Sequence, residues 1–340
     1  MAKIGVVLIN IGSPDSPTPM NVGRYLREFL MDGRVIDLPY LFRAILVKLI
    51  IVPLRKYKSA KAYKKIWREK TSPLLTISEK VCSDLSQSLG DQFVVKVGMR
   101  YGRPNLKSAI HALNSVPDLQ KIILAPLYPQ YSAAATASSL AEAYKIMRGQ
   151  WDLLPISVLA PFYAEPGFIK AFAKQISATL NEQSFDYLLF SYHGLPEAQI
   201  KKSDNKLSSC LSSSSCCDQE DVKPKCYRAQ CYATTRLLAR ELNLKNEFYS
   251  TSFQSRLGGQ EWIKPYTDKV LVELRDKGIK NIAIACPAFV ADCLETLEEI
   301  AMAAKSQWQS LGGENLRLVP SLNSEPLWIE QLAQLIKKTT

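Results

Sequence analysis

The residues Tyr187-Leu-Leu-Phe190 form a short apolar run, aromatic at both ends, that stops abruptly in Ser191-Tyr-His-Gly194. So brief a run reads as a strand buried on both faces, the mark of a parallel sheet covered by helices. Pro196 discourages continuation, so His193 is expected at the carboxyl end of a buried strand. In open α/β sheets ligands bind at that end. The chain has two histidines, and this is the one a strand delivers to such a mouth. A capped strand end whose imidazole bonds a nearby carbonyl would read the same way.

The same punctuation recurs along the chain. Strands are expected over 3–10, 93–97, 121–127, 156–159, 187–190, 247–250 and 282–285, with 316–320 as a last one. Between them, helical spacing predicts helices over 21–30, 59–68, 78–89, 105–113, 133–147, 166–180, 227–242, 262–277 and 294–311, and a closing helix over 326–338. Strands alternating with helices mean a parallel, doubly wound α/β sheet. The plan restarts near Leu154, and Ile122-Ile-Leu-Ala-Pro-Leu-Tyr128 resembles Ile282-Ala-Ile-Ala-Cys-Pro-Ala-Phe289. Two similar Rossmann-like domains are therefore expected, 1–153 and 154–321, with a cleft between them and a closing helix in 322–340. No Gly-x-Gly-x-x-Gly follows the first strand, so the dinucleotide fingerprint is missing.

Forty-three Lys and Arg against 32 Asp and Glu give a net charge of +11, which suits an anionic membrane or an acidic small molecule. Nucleic acid fits less well, because no basic block interleaved with aromatics appears. The first residues read as a strand rather than a signal peptide, and no run reaches the roughly 18 apolar residues of a membrane span. Eight cysteines without a signal imply a reducing, cytoplasmic setting and thiols rather than disulfides. The stretch 35–55 is strongly apolar and carries Arg43, Lys48 and Arg55. It reads either as a core helix or as an exposed apolar lip with basic anchors, fit for a membrane surface or a flat apolar ligand bearing carboxylates.

Chemistry gathers after the strand at 282–285. Glu295 and Glu299 are four apart and stack on one helix face, with Glu298 beside them. Helix-end electrostatics accounts for acids at this position, but stacked like charges cost stability. An aligned pair could bind a hard cation or relay protons. If the two strand ends meet, His193 and Glu295 face each other.

These motifs together resemble the ferrochelatase family, whose members insert ferrous iron into a porphyrin. The resemblance rests on Ser191-Tyr-His-Gly-Leu-Pro196 and Asp292-Cys-Leu-Glu-Thr-Leu-Glu298. Asn10-Ile-Gly-Ser-Pro14, Gly98-Met-Arg-Tyr101, Tyr128-Pro-Gln-Tyr-Ser132 and Phe253-Gln-Ser-Arg-Leu-Gly258 are similar as well. It implies that His193 is the essential base and Glu295 its acidic partner, with Glu299 continuing the acidic face, and that His193 and Glu295 meet the Fe²⁺ substrate. It places Arg55, Lys58 and Ser72 near the propionates, and Ile11, Arg100, Tyr101, Tyr131, Trp262 and Phe289 around the macrocycle. An apolar residue at Ile11 resembles the enzymes that use protoporphyrin IX rather than coproporphyrin. Metallation must remove two pyrrole protons, and bending the macrocycle would expose its nitrogens, strain supplied by binding elsewhere.

The insert 203–231 holds Cys210, Cys216, Cys217, Cys226 and Cys231 within Ser- and Lys-rich sequence. Thiols so close together in a reducing compartment suggest a metal site. The resemblance implies a [2Fe–2S] cluster on Cys210, Cys217, Cys226 and Cys231, with Cys216 as the alternative to Cys217. Zinc or a loop with spare thiols would give the same pattern. The expected function is iron insertion into protoporphyrin IX. A coproporphyrin or cobalt chelatase is the alternative within the class, and a haem carrier or iron–sulfur sensor the alternative outside it. Oligomeric state is not legible.

Overall fold

The structure is a computed structural model, described for residues 2–68, 71–182, 184–203, 210, 211, 213, 215–217 and 225–340. The chain divides into two compact units. The first comprises Met1–Tyr128, Ala133–Ala160 and Pro326–Thr340, and the second Pro129–Ser132 and Pro161–Glu325.

The first unit is built on β1 (Lys3–Asn10), whose residues Val6 to Ile9 are wholly buried. Next come α1 (Pro19–Leu30), α2 (Tyr40–Ile45), a π-helical turn at Leu46–Ile51 and α3 (Val52–Ile66). They are followed by α4 (Pro73–Leu89), β2 (Phe93–Met99), α5 (Leu106–Asn114), β3 (Leu119–Pro126), α6 (Ser138–Arg148) and β4 (Ile156–Val158). The sheet is parallel throughout, in the order β2-β1-β3-β4. Thr18 caps α1 by accepting from the Asn21 N–H, and Asn105 caps α5 from Ser108, as short polar side chains do at helix starts.

The second unit repeats the plan. Its elements are α7 (Pro166–Glu182), β5 (Tyr187–His193), α8 (Glu197–Ser203), α9 (Tyr227–Glu241), β6 (Tyr249–Gln254), α10 (Thr267–Asp276) and β7 (Asn281–Ala285). A π-helix over Glu295–Ala304, α11 (Lys305–Ser310) and β8 (Asn315–Leu318) complete it. Its parallel sheet runs β6-β5-β7-β8, so each half orders its strands second, first, third, fourth. The last helix, α12 (Pro326–Lys338), belongs to the first unit, where it packs on α4.

Several sequence expectations shift. The strand near Ile156 pairs with β3, Ile122 opposite Ile156, so it closes the first sheet instead of opening the second. The strand expected at 247–250 runs instead over Tyr249–Gln254, because Asn246–Phe248 forms a 3₁₀ turn. The helix expected from Trp262 begins only at Thr267; Pro265 removes a donor and biases the residue before it toward extended backbone. Over Glu295–Ala304 the helix is π rather than α, a distinction that apolar periodicity over ten residues does not carry. The apolar stretch 35–55 is no core helix. Leu41, Phe42, Leu49 and Leu54 are 65–73% exposed, while Val47 and Val52 pack beneath against Leu30. Each exposed side chain forgoes about 1.5–3 kcal/mol of burial. Among the described residues no helix is long and apolar enough to cross a membrane.

Candidate functional site

In the second unit β5 lies between β6 and β7, so chain crossovers leave in opposite directions on its two sides, the switch point at which α/β sheets bind ligands. His193 is its last residue. Gly194 follows because nothing larger fits: a Cβ there would lie 2.8 Å from the Gln254 carbonyl oxygen and 3.2 Å from the Trp262 ring. The Gly194 N–H donates to that same Gln254 carbonyl at 2.8 Å. His193 Nδ1 lies 2.6 Å from the Gly194 carbonyl oxygen. A carbonyl can only accept, so Nδ1 carries a hydrogen, and in the neutral ring the lone pair falls to Nε2. The rings of Trp262 and Phe289 flank the imidazole, each with its centroid 6.4 Å away.

Glu295 opens the π-helix and Glu299 lies one broad turn further on. Glu299 Oε1 accepts from the Ser255 N–H at 2.7 Å, and Oε2 from the Ser255 hydroxyl and from Gln254 Nε2. Gln254 Nε2 also donates to the Glu295 carbonyl at 2.8 Å, and its Oε1 accepts from Ser191 Oγ at 2.8 Å. Burial raises the Glu299 pKa above the ordinary carboxylate range, and the neighbouring Glu295 charge adds to the rise. The Ser255 hydrogen bonds and the His193 charge pull against it. The imidazole and both carboxyls thus share one electrostatic neighbourhood within this unit. Ser255 adopts φ of 65°, a left-handed conformation uncommon for serine, and in it presents both its N–H and its hydroxyl to one carboxylate.

The remaining residues of the unit are placed plainly. Tyr131 donates its N–H to Gln230 Oε1 at 2.7 Å, and Trp262 donates Nε1–H to the Leu257 carbonyl at 2.8 Å. Cys286 and Cys293 are buried. Most residues between Ser203 and Cys226 lie outside the described ones, but the five cysteines of the insert 203–231 are within them. Cys216 and Cys217 have their sulfurs 3.8 Å apart. Cys217 neighbours Cys226, whose hydrogen bond is the largest influence raising the Cys217 pKa, with burial next. Cys226 in turn lies near Cys231. Arg228 points its guanidinium at Cys217 Sγ, 3.1 Å away, and at Cys216 Sγ, 4.0 Å away. Soft donors beside a cation fit an anionic iron–sulfur or zinc thiolate centre. Even so, among the described residues no three His, Cys, Asp or Glu side chains gather closely enough to hold a metal ion.

In the first unit, Ile11 follows β1, and its carbonyl accepts from the Tyr101 N–H at 3.0 Å. Gly12 has φ of 99°, and a Cβ there would meet the Tyr101 carbonyl oxygen at 1.8 Å. Arg55 is half-buried, and burial lowers its pKa; Lys58 is exposed. Ser72 is 2% exposed, with its hydroxyl bonded to Ser13 and accepting from the Leu75 N–H as the cap of α4. Arg100 Nη2 donates to Asp32 at 2.6 Å, and the buried Tyr101 hydroxyl donates to the same carboxylate at 3.0 Å. Burial opposes ionisation of Asp32, yet the Ser138 hydroxyl, the Arg34 N–H and Arg100 together hold its pKa below the ordinary value.

Asp32, Gln254 and Ser255 hold site groups in ways that spacing did not reveal. Gln254 and Ser255 lie in a motif the sequence did single out. Asp32 gave no signal, because it acts across a distance in sequence that only the fold closes.

Comparisons with known proteins bear on the whole chain. The ferrochelatase family's sequence model matches residues 3–340. A protein named Ferrochelatase from Coxiella burnetii (strain Dugway 5J108-111) is 48% identical over 337 residues, 99% of this chain and 94% of that one. One of the same name from Legionella pneumophila (strain Paris) is 46% identical over 334 residues, 98% of each. Among solved structures, SirB from Bacillus subtilis with Fe3+ covers 99% of this chain and 95% of its own, with a TM-score of 0.56. At 12% identity that likeness concerns the fold alone. A full-length family match and relatives near half identity leave one conclusion: the chain belongs to the ferrochelatase family.

Proposed function

We propose that this protein inserts Fe²⁺ into protoporphyrin IX, with His193 accepting pyrrole protons and Glu295 and Glu299 relaying them or guiding the metal. Two N–H bonds break, four metal–nitrogen bonds form, and two protons leave. The observation that carries this reading is the setting of His193: its Nδ1–H faces the Gly194 carbonyl, which makes Nε2 the nitrogen able to accept a proton, and the ring interacts electrostatically with the Glu299 carboxyl. An imidazole accepts protons near neutral pH, and a carboxylate nearby favours the cation that forms. Trp262 and Phe289 supply apolar walls for the macrocycle. Arg55 and Lys58 supply charge for its propionates, with Ile11 and Tyr131 as further contacts. Arg100, Tyr101 and Ser72 are assigned to the same ligand, and within the first unit Asp32 holds the first two while Ser13 and the helix cap hold the third.

His193→Ala should abolish insertion in a stopped-flow assay of free-base porphyrin with Fe²⁺ while porphyrin still binds; near-normal turnover would refute the base assignment. Running proto- and coproporphyrin side by side tests the substrate, and faster turnover of coproporphyrin would reverse that choice. The thiols Cys210, Cys217, Cys226 and Cys231, with Cys216 in reserve, are assigned to a [2Fe–2S] cluster that would act as a brace or sensor away from the insertion chemistry. Purified protein should then contain iron and acid-labile sulfide; zinc without either would put a zinc site there instead. The exposed lip, with Arg43 and Lys48, is assigned to peripheral contact with the inner membrane from the cytoplasmic side.

A further inference from the structure

Tyr227 is the first residue of α9, directly after Cys226 and one helical turn before Cys231. Its ring and the Cys231 thiol are both buried, and the two side chains are hydrogen-bond neighbours. The Tyr227 hydroxyl donates to the His193 carbonyl at 2.8 Å. Eight residues along the helix, Thr235 bonds the Tyr192 hydroxyl at 2.9 Å. Helix α9 therefore grips two successive residues at the end of β5. On its other side that strand end is tied to Gln254 through the Gly194 N–H. The imidazole, already held through Nδ1 by the Gly194 carbonyl, depends for its orientation on peptides pinned from both flanks. One of those pins stands between two cysteines.

We propose that Tyr227 is a positioning residue for His193, and that through it the state of the Cys226 and Cys231 thiols sets the pose of the imidazole. The proposal rests on the reading of His193 as the proton acceptor. A group that draws the two thiols together moves the first turn of α9, and the tyrosine hydroxyl carries that movement to the carbonyl of the strand end. Nothing in this route requires the thiols to touch substrate.

Two histidines in the chain make the test direct. The ring carbon–proton signals of His193 can be followed by NMR in the purified protein, with His111, exposed on α5, as an internal reference. Tyr227→Phe removes the hydroxyl alone. It should move the His193 signal, leave His111 unmoved, and lower kcat about 5-fold, the size of one lost hydrogen bond, at unchanged KM for porphyrin. Cys231→Ser should displace the His193 signal in the wild-type background and add nothing once Tyr227 is Phe. Cys226→Ser provides the same comparison should the buried substitution fail to fold. An unmoved His193 signal in Tyr227→Phe overturns the positioning role. Equal displacement by the cysteine change with and without the hydroxyl overturns the coupling. Should the signals behave as expected and kcat stay constant, the link stands and it is the assignment of His193 as base that fails.

Discussion

Glu299 sits in an environment that is costly for a charge. Burial raises its pKa above the 4.5 of a free glutamate, so the charged form is harder to hold in the fold than in water. A raised folded pKa contributes stability that is fully present below about pH 4.5 and lost as pH rises through the folded value. Glu299→Gln removes that dependence. The variant should melt above the wild type near pH 8, the gap should close toward pH 4, and iron insertion should fall at least tenfold, the scale of a lost proton relay. Thermal melts across that range, beside the insertion assay, check it; a variant less stable at pH 8 would mean that the Ser255 hydrogen bonds outweigh the burial. Asp32 has the opposite sign. Its pKa is held low, so its contribution is present above the ordinary aspartate value and lost as pH falls through the folded one. His193 and the acidic pair were readable because a strand end and a helical repeat are local patterns. Their supporting residues were not, since Gln254 and Ser255 reach Glu299 across more than forty positions.

Among the elements, the lip shows most clearly what a sequence withholds. From residues alone 35–55 fits a core helix as well as a surface one, because the same apolar side chains serve both. The structure separates the faces. Val47 and Val52 seat the segment on Leu30, and the π-helical turn at Leu46–Ile51 rotates the faces relative to an ideal α-helix. That leaves Leu49, Ile50, Leu54 and Tyr57 outward. The membrane contact proposed for this surface would combine apolar insertion with attraction to anionic lipid. Leu49→Glu with Leu54→Glu should weaken binding to phosphatidylserine-containing vesicles at least tenfold in a sedimentation assay, and wild-type binding should weaken with added salt. Unaltered binding by the double variant would remove the lip from membrane contact.

For the molecule as a whole, the alternation of strand and helix was enough to give the α/β class and the repetition. The two sheets share one strand order, which the likeness of the segments at Ile122 and Ile282 hinted at. The division of the chain was less legible. A boundary at 153 follows from treating the fourth strand as a new beginning, yet that strand completes the first sheet and the first unit runs on to Ala160. Parallel pairing joins residues far apart in sequence, so nothing near position 156 announces its partner. The closing helix was legible as a helix, but its allegiance was not.

That allegiance bears on how the polypeptide is made. Helix α12 lays Trp328, Ile329, Leu332 and Ile336 into the first unit. By the time translation reaches Glu325, every residue of the second unit has been synthesised, while the first still lacks its last helix. The half that is begun first is therefore the half that is finished last, and a stop codon anywhere before Pro326 would strip apolar cover from α4, made about 250 codons earlier.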